Sequence, residues 1–216
     1  MTNQASIQTK ISKGYGIAAQ KLGNVFAQFR PTGLALSATD PSYFVVSTLA
    51  AFDVDNHFSH TKPAGYNHPV YFALTDLDNI QVADYFVSPF QTFFIANIEP
   101  LRPPMAIHCN RVVSIFQPKP TATGPTFYSG NVGGTGTPAI AVWPCSILIG
   151  PKGETNISGL PADPRAPWYA MLFPAAPGLL LKTGDVLIDD LAHRYTISAT
   201  ELTSLGWRCT MSYSGT

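Results

Sequence analysis

The spacing of apolar residues before Gly23 is close to that of one helical face. The residues that lie on this face are Ile11, Tyr15, Ala18, Ala19 and Leu22. Ser12 is a candidate N-cap and Gly23 a candidate residue just past the helix end. The pattern therefore predicts a short helix over residues 13–22, preceded by a polar arm over residues 1–10.

After Gly23 the chain consists of short runs rich in β-branched and aromatic residues, separated by turn residues. Strands are predicted at residues 25–29, 43–48, 70–74, 83–87, 92–96, 111–116, 139–143, 146–149, 168–173, 186–188, 195–198 and 207–213. No further amphipathic helix is indicated. The fold class predicted is all-β, built from β-barrel or sandwich units with one short N-terminal α-helix.

Residues 117–138 divide the strand-rich part of the chain. This segment holds four Pro, five Gly and five Thr, a composition typical of a linker or of an extended surface loop. We therefore expect an arm and helix over residues 1–24, a first β domain over 25–116 and a second β domain over 139–216.

A faint internal repeat connects the two halves. In residues 83–109 an acidic turn residue opens a strand, a partner strand contains an Ile, and a third strand contains a Cys; residues 184–209 repeat this order. The Asp-to-Ile spacing is 11 and 12 residues, and the Ile-to-Cys spacing is 14 and 12. Such a pattern arises either from a duplication or from the sequence features that three-stranded meanders have in common.

Composition adds a statement about the surface. Only 12% of the 216 residues are charged, against roughly 25% in an ordinary soluble domain. The 45% apolar content excludes a disordered chain despite 19 Pro and 17 Gly. A surface so poor in charge favours a protein that other subunits cover in part.

Charge is also distributed unevenly. Residues 1–39 carry four basic side chains and no acid, whereas residues 40–101 carry seven acids against Lys62 alone. The basic segment is open to three interpretations: a solvated face, docking on an acidic neighbour in an oligomer, or a nucleic-acid contact. Four positive charges are too few to favour direct nucleic-acid binding.

The three cysteines, Cys109, Cys145 and Cys209, have no metal-binding or redox spacing. They fit a reducing compartment, where they act as small core residues. No apolar run reaches the ~18–20 residues that cross a bilayer, and we expect no membrane contact.

Metal ligands are the first chemistry to consider. His57, His60 and His68 follow Asp53 and Asp55, but their spacing matches no specific metal site, and we interpret them as polar loop residues.

Other motifs for catalysis or cofactor binding fail on their spacing. Residues 76–79 begin like a calcium loop but lack its later Gly and Glu, and residues 130–136 lack the Lys of a phosphate-binding loop. Three aspartates near the C-terminus are interpreted as turn residues: Asp185, Asp189 and Asp190. No nucleophile, base and orienting group can be named together, so we expect no enzyme activity, catalytic residue, metal or cofactor.

Several short motifs resemble a known family. Residues 14–31 carry GYGIAA, KLG and FRP; residues 83–115 carry ADYFV, TFFIA, LRP and CNRVVSI; residues 128–148 carry YSG and WPCSIL. Together they are similar to a family of tailed-bacteriophage virion proteins found in phages and prophages of proteobacteria. The sequence has Ala83 where the family pattern has Gly. The run GDVLI at residues 184–188, with YTI at 195–197, resembles small β-barrel subunits of phage necks and tails.

The resemblance implies a virion structural protein, assembled in the host bacterial cytoplasm, in the head–tail connector (neck) or the tail. Its partners would be copies of itself in a ring and neighbouring neck, portal or tail proteins. The acid-free, amphipathic N-terminal region gives four candidate subunit-interface residues: Tyr15, Ile17, Lys21 and Arg30.

Two alternatives come from other classes of protein. Aromatic residues beside Pro-rich loops (Tyr66, Trp168 and Tyr169) would suit a virion-surface or tail-tip module that binds carbohydrate or a receptor. An enzyme acting on the cell wall would need an acid/base pair, which the sequence does not show.

Overall fold

The structure, a computed structural model, describes residues 4–35, 37–54, 69–117, 138–149 and 168–215. One helix, α1, spans Gln4–Leu22. The strands of the described residues are β1 Asn24–Phe29, β2 Phe44–Asp53, β3 Val70–Leu74, β4 Tyr85–Val87, β5 Thr92–Asn97, β6 Met105–Cys109, β7 Arg111–Phe116, β8 Ile140–Ile149, β9 Trp168–Phe173, β10 Val186–Asp189, β11 Arg194–Thr203 and β12 Gly206–Gly215. The all-β fold with an N-terminal helix is confirmed.

The helix begins earlier than predicted. Ser12 is not its N-cap but a buried residue in its interior, where its Oγ accepts a hydrogen bond of 3.5 Å from Gln8 Nε2. The sequence did not predict the first turns of the helix, because residues 4–10 show no apolar periodicity. The end was predicted correctly, since Gly23 N–H donates to the Ala19 carbonyl at 2.8 Å.

Two closed six-stranded antiparallel barrels make up the body of the protein. The first barrel contains β1–β6 and the second contains β7–β12. In each, the first three strands form a meander, the last three form another, the third strand pairs with the sixth, and the fourth pairs with the first to close the barrel. The two barrels therefore share one connectivity.

The boundary between the barrels lies at Asn110, and the predicted domain limit of residue 116 is wrong. Strand β7 pairs with β8 and β10 and so belongs to the second barrel. Asn110 alone separates β6 from β7, and its side chain exchanges two 2.8 Å hydrogen bonds with the backbone of Ile147. The Pro/Gly/Thr-rich segment instead connects two strands of one barrel; its residues 118–137 lie outside the described residues.

The barrels agree in register as well as in order. A constant offset within each strand relates the pairings of the two barrels, so that Tyr71 opposite Ala106 corresponds to Tyr169 opposite Met211. The exceptions lie at bulges, where Ile115 pairs with Ile140 and Arg194 with Gly215. The fifth strand is irregular at the same place, after Ile95 in one barrel and after Ile197 in the other. The general rules of hairpin formation do not require two barrels to share this non-sequential strand order, so these equivalences favour duplication.

One part of the predicted repeat is wrong. Cys109 pairs with Thr92 at the start of β5, whereas Cys209 pairs with Thr200 in the later part of β11. The two cysteines are therefore not equivalent, because the β11–β12 hairpin is longer than its counterpart in the first barrel.

A buried aspartate fixes the turn that leads into β4 of the first barrel. Asp84 Oδ2 accepts a hydrogen bond from Gln81 N–H at 2.8 Å, and Arg30 Nε donates to Asp84 Oδ1 at 2.8 Å. Arg30 also donates through Nη2 to the Asn79 carbonyl at 2.8 Å, and Gln28 Nε2 donates to Asp84 Oδ2 at 2.7 Å. Gln28 of β1 and Arg30, which directly follows β1, thus secure the strand that closes the barrel.

The second barrel repeats this arrangement with a neutral partner. Asp185 Oδ2 accepts from Lys182 N–H at 2.8 Å, and Gln117 hydrogen-bonds Asp185 while donating to the Leu180 carbonyl at 2.9 Å. Gln117 follows β7 as Arg30 follows β1. Burial raises the pKa of Asp185, which the neutral partner offsets less than a guanidinium would.

Two cores fill the molecule. The first barrel encloses a small aromatic-rich cluster: Phe26, Ala50, Ala73, Phe86, Phe93, Ile95 and Ala106. A larger cluster fills the second barrel and extends onto the outside of β4, β5 and β6. Tyr85, fully buried there, donates through its hydroxyl to the Pro144 carbonyl at 2.8 Å and meets the Trp143 ring edge-on. The barrels are therefore packed against each other, not merely tethered.

Removing the carboxylate in Asp84→Ala is expected to lower the free energy of unfolding by about 3 kcal/mol, because it removes the charged acceptor that buried Gln28 and Arg30 share. Denaturant unfolding followed by circular dichroism measures this. The control is Asp78→Ala, an exposed carboxylate nearby, which is expected to change stability by less than about 0.5 kcal/mol. Equal losses in the two variants would contradict a structural role for Asp84.

Positions 83 and 184 both precede the buried aspartate and both have positive φ, +72° at Ala83 and +91° at Gly184. A Cβ at Gly184 would meet nothing within 4 Å, so Gly184→Ala introduces no clash. The variant therefore measures only the cost of placing a non-glycine residue at positive φ, about 1 kcal/mol of lost stability. Ala83→Gly is expected to act in the opposite direction. Thermal unfolding of the two variants tests the pair, and a loss of stability in Ala83→Gly would contradict the equivalence of the turns.

Candidate functional site

The four predicted interface residues lie in different environments. Tyr15 is half-buried against its own chain, and burial raises its pKa. Ile17 and Lys21 are exposed on α1. Arg30 is bonded to Asp84 within the chain, so its presence is explained without a partner. Ile17 and Lys21 are the two that remain fully available for contact with another subunit.

An exposed apolar surface lies at one end of the first barrel, and we call it the apolar end. It contains Leu22 at the end of α1, Val25 near the start of β1 and Phe90 in the β4–β5 turn; β1 begins and its antiparallel partner β4 ends at this side. Their exposed fractions are 65%, 64% and 92%. Such large apolar side chains in contact with water are typical of a surface that a partner covers.

Phe90 is held in a defined turn. Ser88 N–H donates to the Gln91 carbonyl at 2.8 Å, and Ser88 Oγ accepts from the amides of Phe90 and Gln91 at 3.4 and 3.1 Å. Because the turn is pre-organised, docking this ring would lose little backbone entropy. The sequence placed residues 88–91 in the connection between two predicted strands, but no pattern indicated that the Phe90 ring would be exposed.

The second barrel has an open end, which we call the barrel mouth. It is a cavity of about 330 Å³ lined by Arg111, Ile147, Ile149, Tyr169, His193, Tyr195 and Tyr213. Its tyrosine and histidine rings meet edge to face, with centroids 5.1 Å apart for Tyr169 and Tyr195 and 5.7 Å apart for His193 and Tyr213. Mouths of β-barrels with aromatic walls and a few polar groups are common binding sites.

Asp189 organises the polar side of the barrel mouth. Its Oδ1 accepts from the amides of Leu191 and His193 at 2.9 and 2.8 Å. Its Oδ2 lies 3.2 Å from His193 Nδ1, 3.4 Å from Tyr195 Oη and 3.7 Å from Arg111 Nε. The prediction that Asp189 acts in a turn is confirmed, and the same carboxylate also positions three side chains of the cavity.

Burial, with a further contribution from the Asp189 carboxylate, raises the pKa of Tyr195 to about 12. The Tyr195 phenol therefore stays neutral across ordinary pH and can donate a hydrogen bond. Burial likewise raises the pKa of Cys145 and Cys209, which lie fully enclosed in the larger core. Thiols in that state are poor nucleophiles, in agreement with the core role predicted for them.

The structure also places some of the motifs that the sequence analysis considered and rejected. No group of three or more His, Cys, Asp or Glu in these residues could hold a metal ion. Residues 76–79 form a short 3₁₀ turn in which the Asp76 side chain accepts from Asp78 N–H. The three loop histidines, Tyr66 and residues 130–136 lie outside the described residues. Among the described helices, α1 included, none has the length and apolarity of a membrane span.

Comparisons with family models, curated proteins and solved structures find no match to this chain. The functional argument therefore depends on the surfaces of the two barrels themselves.

Replacing Asp189 by Asn keeps an acceptor for the two turn amides but removes the charge facing Arg111 and His193. Asp189→Asn is expected to lower stability by about 2 kcal/mol, the range for hydrogen bonds to charged groups. Its neighbour Asp190, which is half-exposed beside Arg111, gives the control: Asp190→Asn is expected to change stability by less than about 0.5 kcal/mol. Denaturant unfolding of both variants measures the difference, and a larger loss in Asp190→Asn would refute this role of Asp189.

Proposed function

We propose that this protein is a structural subunit of a tailed phage particle, part of the head–tail connector (neck) or of the tail. It assembles through ring-type contacts between copies and with neighbouring neck, portal or tail proteins. The proposal locates it in the virion, after synthesis in the bacterial cytoplasm, and assigns it no catalytic step.

The observation that carries the proposal is the apolar end of the first barrel. Leu22, Val25 and Phe90 come from three separate elements and are exposed on the same side. A heterologous contact that joins this end to a different face of the next copy builds a ring when its rotation closes. The low charge content, 12%, is consistent with a subunit whose flanks are covered.

The helix supplies the second part of the proposal. Lys10, Lys13 and Lys21 are exposed on α1, and Ile17 is 48% exposed beside them. An apolar residue among basic ones suits docking on an acidic face, since complementary charge fixes the orientation of the two subunits. The resemblance of residues 14–31 to phage virion proteins supports the same assignment.

Assembly is tested by the mass of the purified protein in solution, measured by light scattering at several concentrations. The wild type is expected to form a discrete multimer, and Phe90→Ser and Ile17→Ser are expected to shift it at least about tenfold in concentration towards monomer. Leu202→Ser provides the control, because Leu202 is 59% exposed on β11, in the second barrel.

A wild-type protein that stays monomeric at every concentration and does not add to virion particles lacking it would overturn the proposal. An equal effect of Leu202→Ser would show that general surface hydrophobicity, not the apolar end, drives association.

The runner-up function, a carbohydrate-binding or receptor-binding β module, rests on a different part of the molecule. Trp168 is exposed and Tyr169 lines the barrel mouth, as this alternative would require. The second barrel carries this alternative, and it is compatible with a subunit that assembles through the first.

A further inference from the structure

The two barrels provide an internal comparison, because each position at the mouth of the second has a register equivalent in the first. In the first barrel this end is filled by rings: Phe52 stacks on Phe93 with centroids 3.9 Å apart, and Tyr71 and His108 pack against Phe93 at 5.3 and 5.1 Å. The equivalent of Phe52 is Ile147, which has no ring to stack. The cavity in the second barrel exists where that ring is missing.

The remaining equivalences give the second barrel two charged side chains and two phenol hydroxyls that the first barrel lacks at these positions. Arg111 corresponds to Asn24, Tyr195 to Phe93 and Tyr213 to His108. His193 and Asp189, which flank the β10–β11 turn, correspond to Gln91 and Ser88. Since the first barrel has uncharged Asn24 and Ser88 where the second has Arg111 and Asp189, the fold itself does not require these two charges.

We propose that the barrel mouth binds a neutral saccharide, of the size of a mono- or disaccharide. The cavity, about 330 Å³, is at the lower end of the range for small-molecule sites. Tyr169 and Tyr213 are partly exposed there. Tyrosine rings can pack against the C–H side of a sugar ring, and their hydroxyls both donate and accept hydrogen bonds. Arg111 adds donors and the half-exposed Asp190 adds an acceptor.

The local charge favours a neutral ligand over an anion. Arg111 lies 3.7 Å from Asp189 and 4.0 Å from Asp190, so two carboxylates already face its guanidinium. A bound carboxylate or phosphate would compete with both of them and be repelled by the exposed one. A hydroxyl-rich ligand meets no such penalty and can use the donors and acceptors together.

Trp168 is 53% exposed at the start of β9, and its cross-strand partner is Ser212. Because successive side chains of a strand point to opposite faces, the indole lies on the other face of β9 from Tyr169. Its fluorescence is therefore a secondary readout, and NMR is the primary one.

The experiment uses the full-length protein and a panel of neutral disaccharides (maltose, cellobiose, lactose and diacetylchitobiose), with sialyllactose and glucuronic acid as anionic counterparts. Binding is measured by saturation-transfer NMR and tryptophan fluorescence. At least one neutral sugar is expected to bind, and Tyr213→Ala and Arg111→Ala are expected to weaken it at least about tenfold.

The matched control compares two equivalent positions, one in each barrel. His193→Ala, at the mouth, is expected to weaken sugar binding, whereas Gln91→Ala, at the equivalent exposed position of the first barrel, is expected to leave it unchanged. Circular dichroism establishes that each variant folds.

Absence of binding across the neutral panel, binding of only the anionic sugars, or an equal effect of Gln91→Ala would each overturn the proposal. Its failure is distinguishable from that of the assembly proposal, because light scattering of the same variants reports self-association separately.

Discussion

The closure of each barrel depends on one buried aspartate at the start of its fourth strand. In this strand order the two edges of the sheet are the first and fourth strands, so the barrel closes only when they pair, and they are far apart in the chain. In the first barrel, Asp84 before β4 accepts hydrogen bonds from Gln28 in β1 and from Arg30 just after it. In the second barrel, Asp185 before β10 is hydrogen-bonded to Gln117, just after β7. The rest of the structure, including both candidate surfaces, is positioned by these two closures.

Because the closure is the same, the barrels can differ elsewhere without losing the fold. The outside of β4, β5 and β6 in the first barrel is apolar and packs on the second barrel through Tyr85, Phe94 and Ile107. The equivalent positions of Phe94 and Ile107 in the second barrel are Thr196 and Ser212, which are partly exposed. The second barrel therefore presents a polar face where the first presents an apolar one.

The sequence predicted local structure well and tertiary relationships less well. Strands 70–74, 111–116 and 168–173 have the predicted limits, because each is a β-branched or aromatic run bounded by turn residues. The assignment of β7 to the first domain was wrong because the composition of residues 117–138 suggests a boundary, whereas the real boundary is a single Asn between two strands. The aspartate turns were found from their spacing, but their partners could not be, since Arg30 lies 54 residues from Asp84.

The same reasoning explains why candidate functional residues were only partly accessible from sequence. Ile17 and Lys21 follow from helical spacing, a local property. The exposure of Phe90 and the gathering of Arg111, His193 and Tyr213 at one barrel mouth follow from closure, which no local pattern encodes. Under the two proposals, the repeated architecture serves two tasks within one chain. The first barrel, filled at its end by stacked rings, would present apolar groups for assembly, and the second, with an isoleucine in place of one ring, would leave room for a ligand.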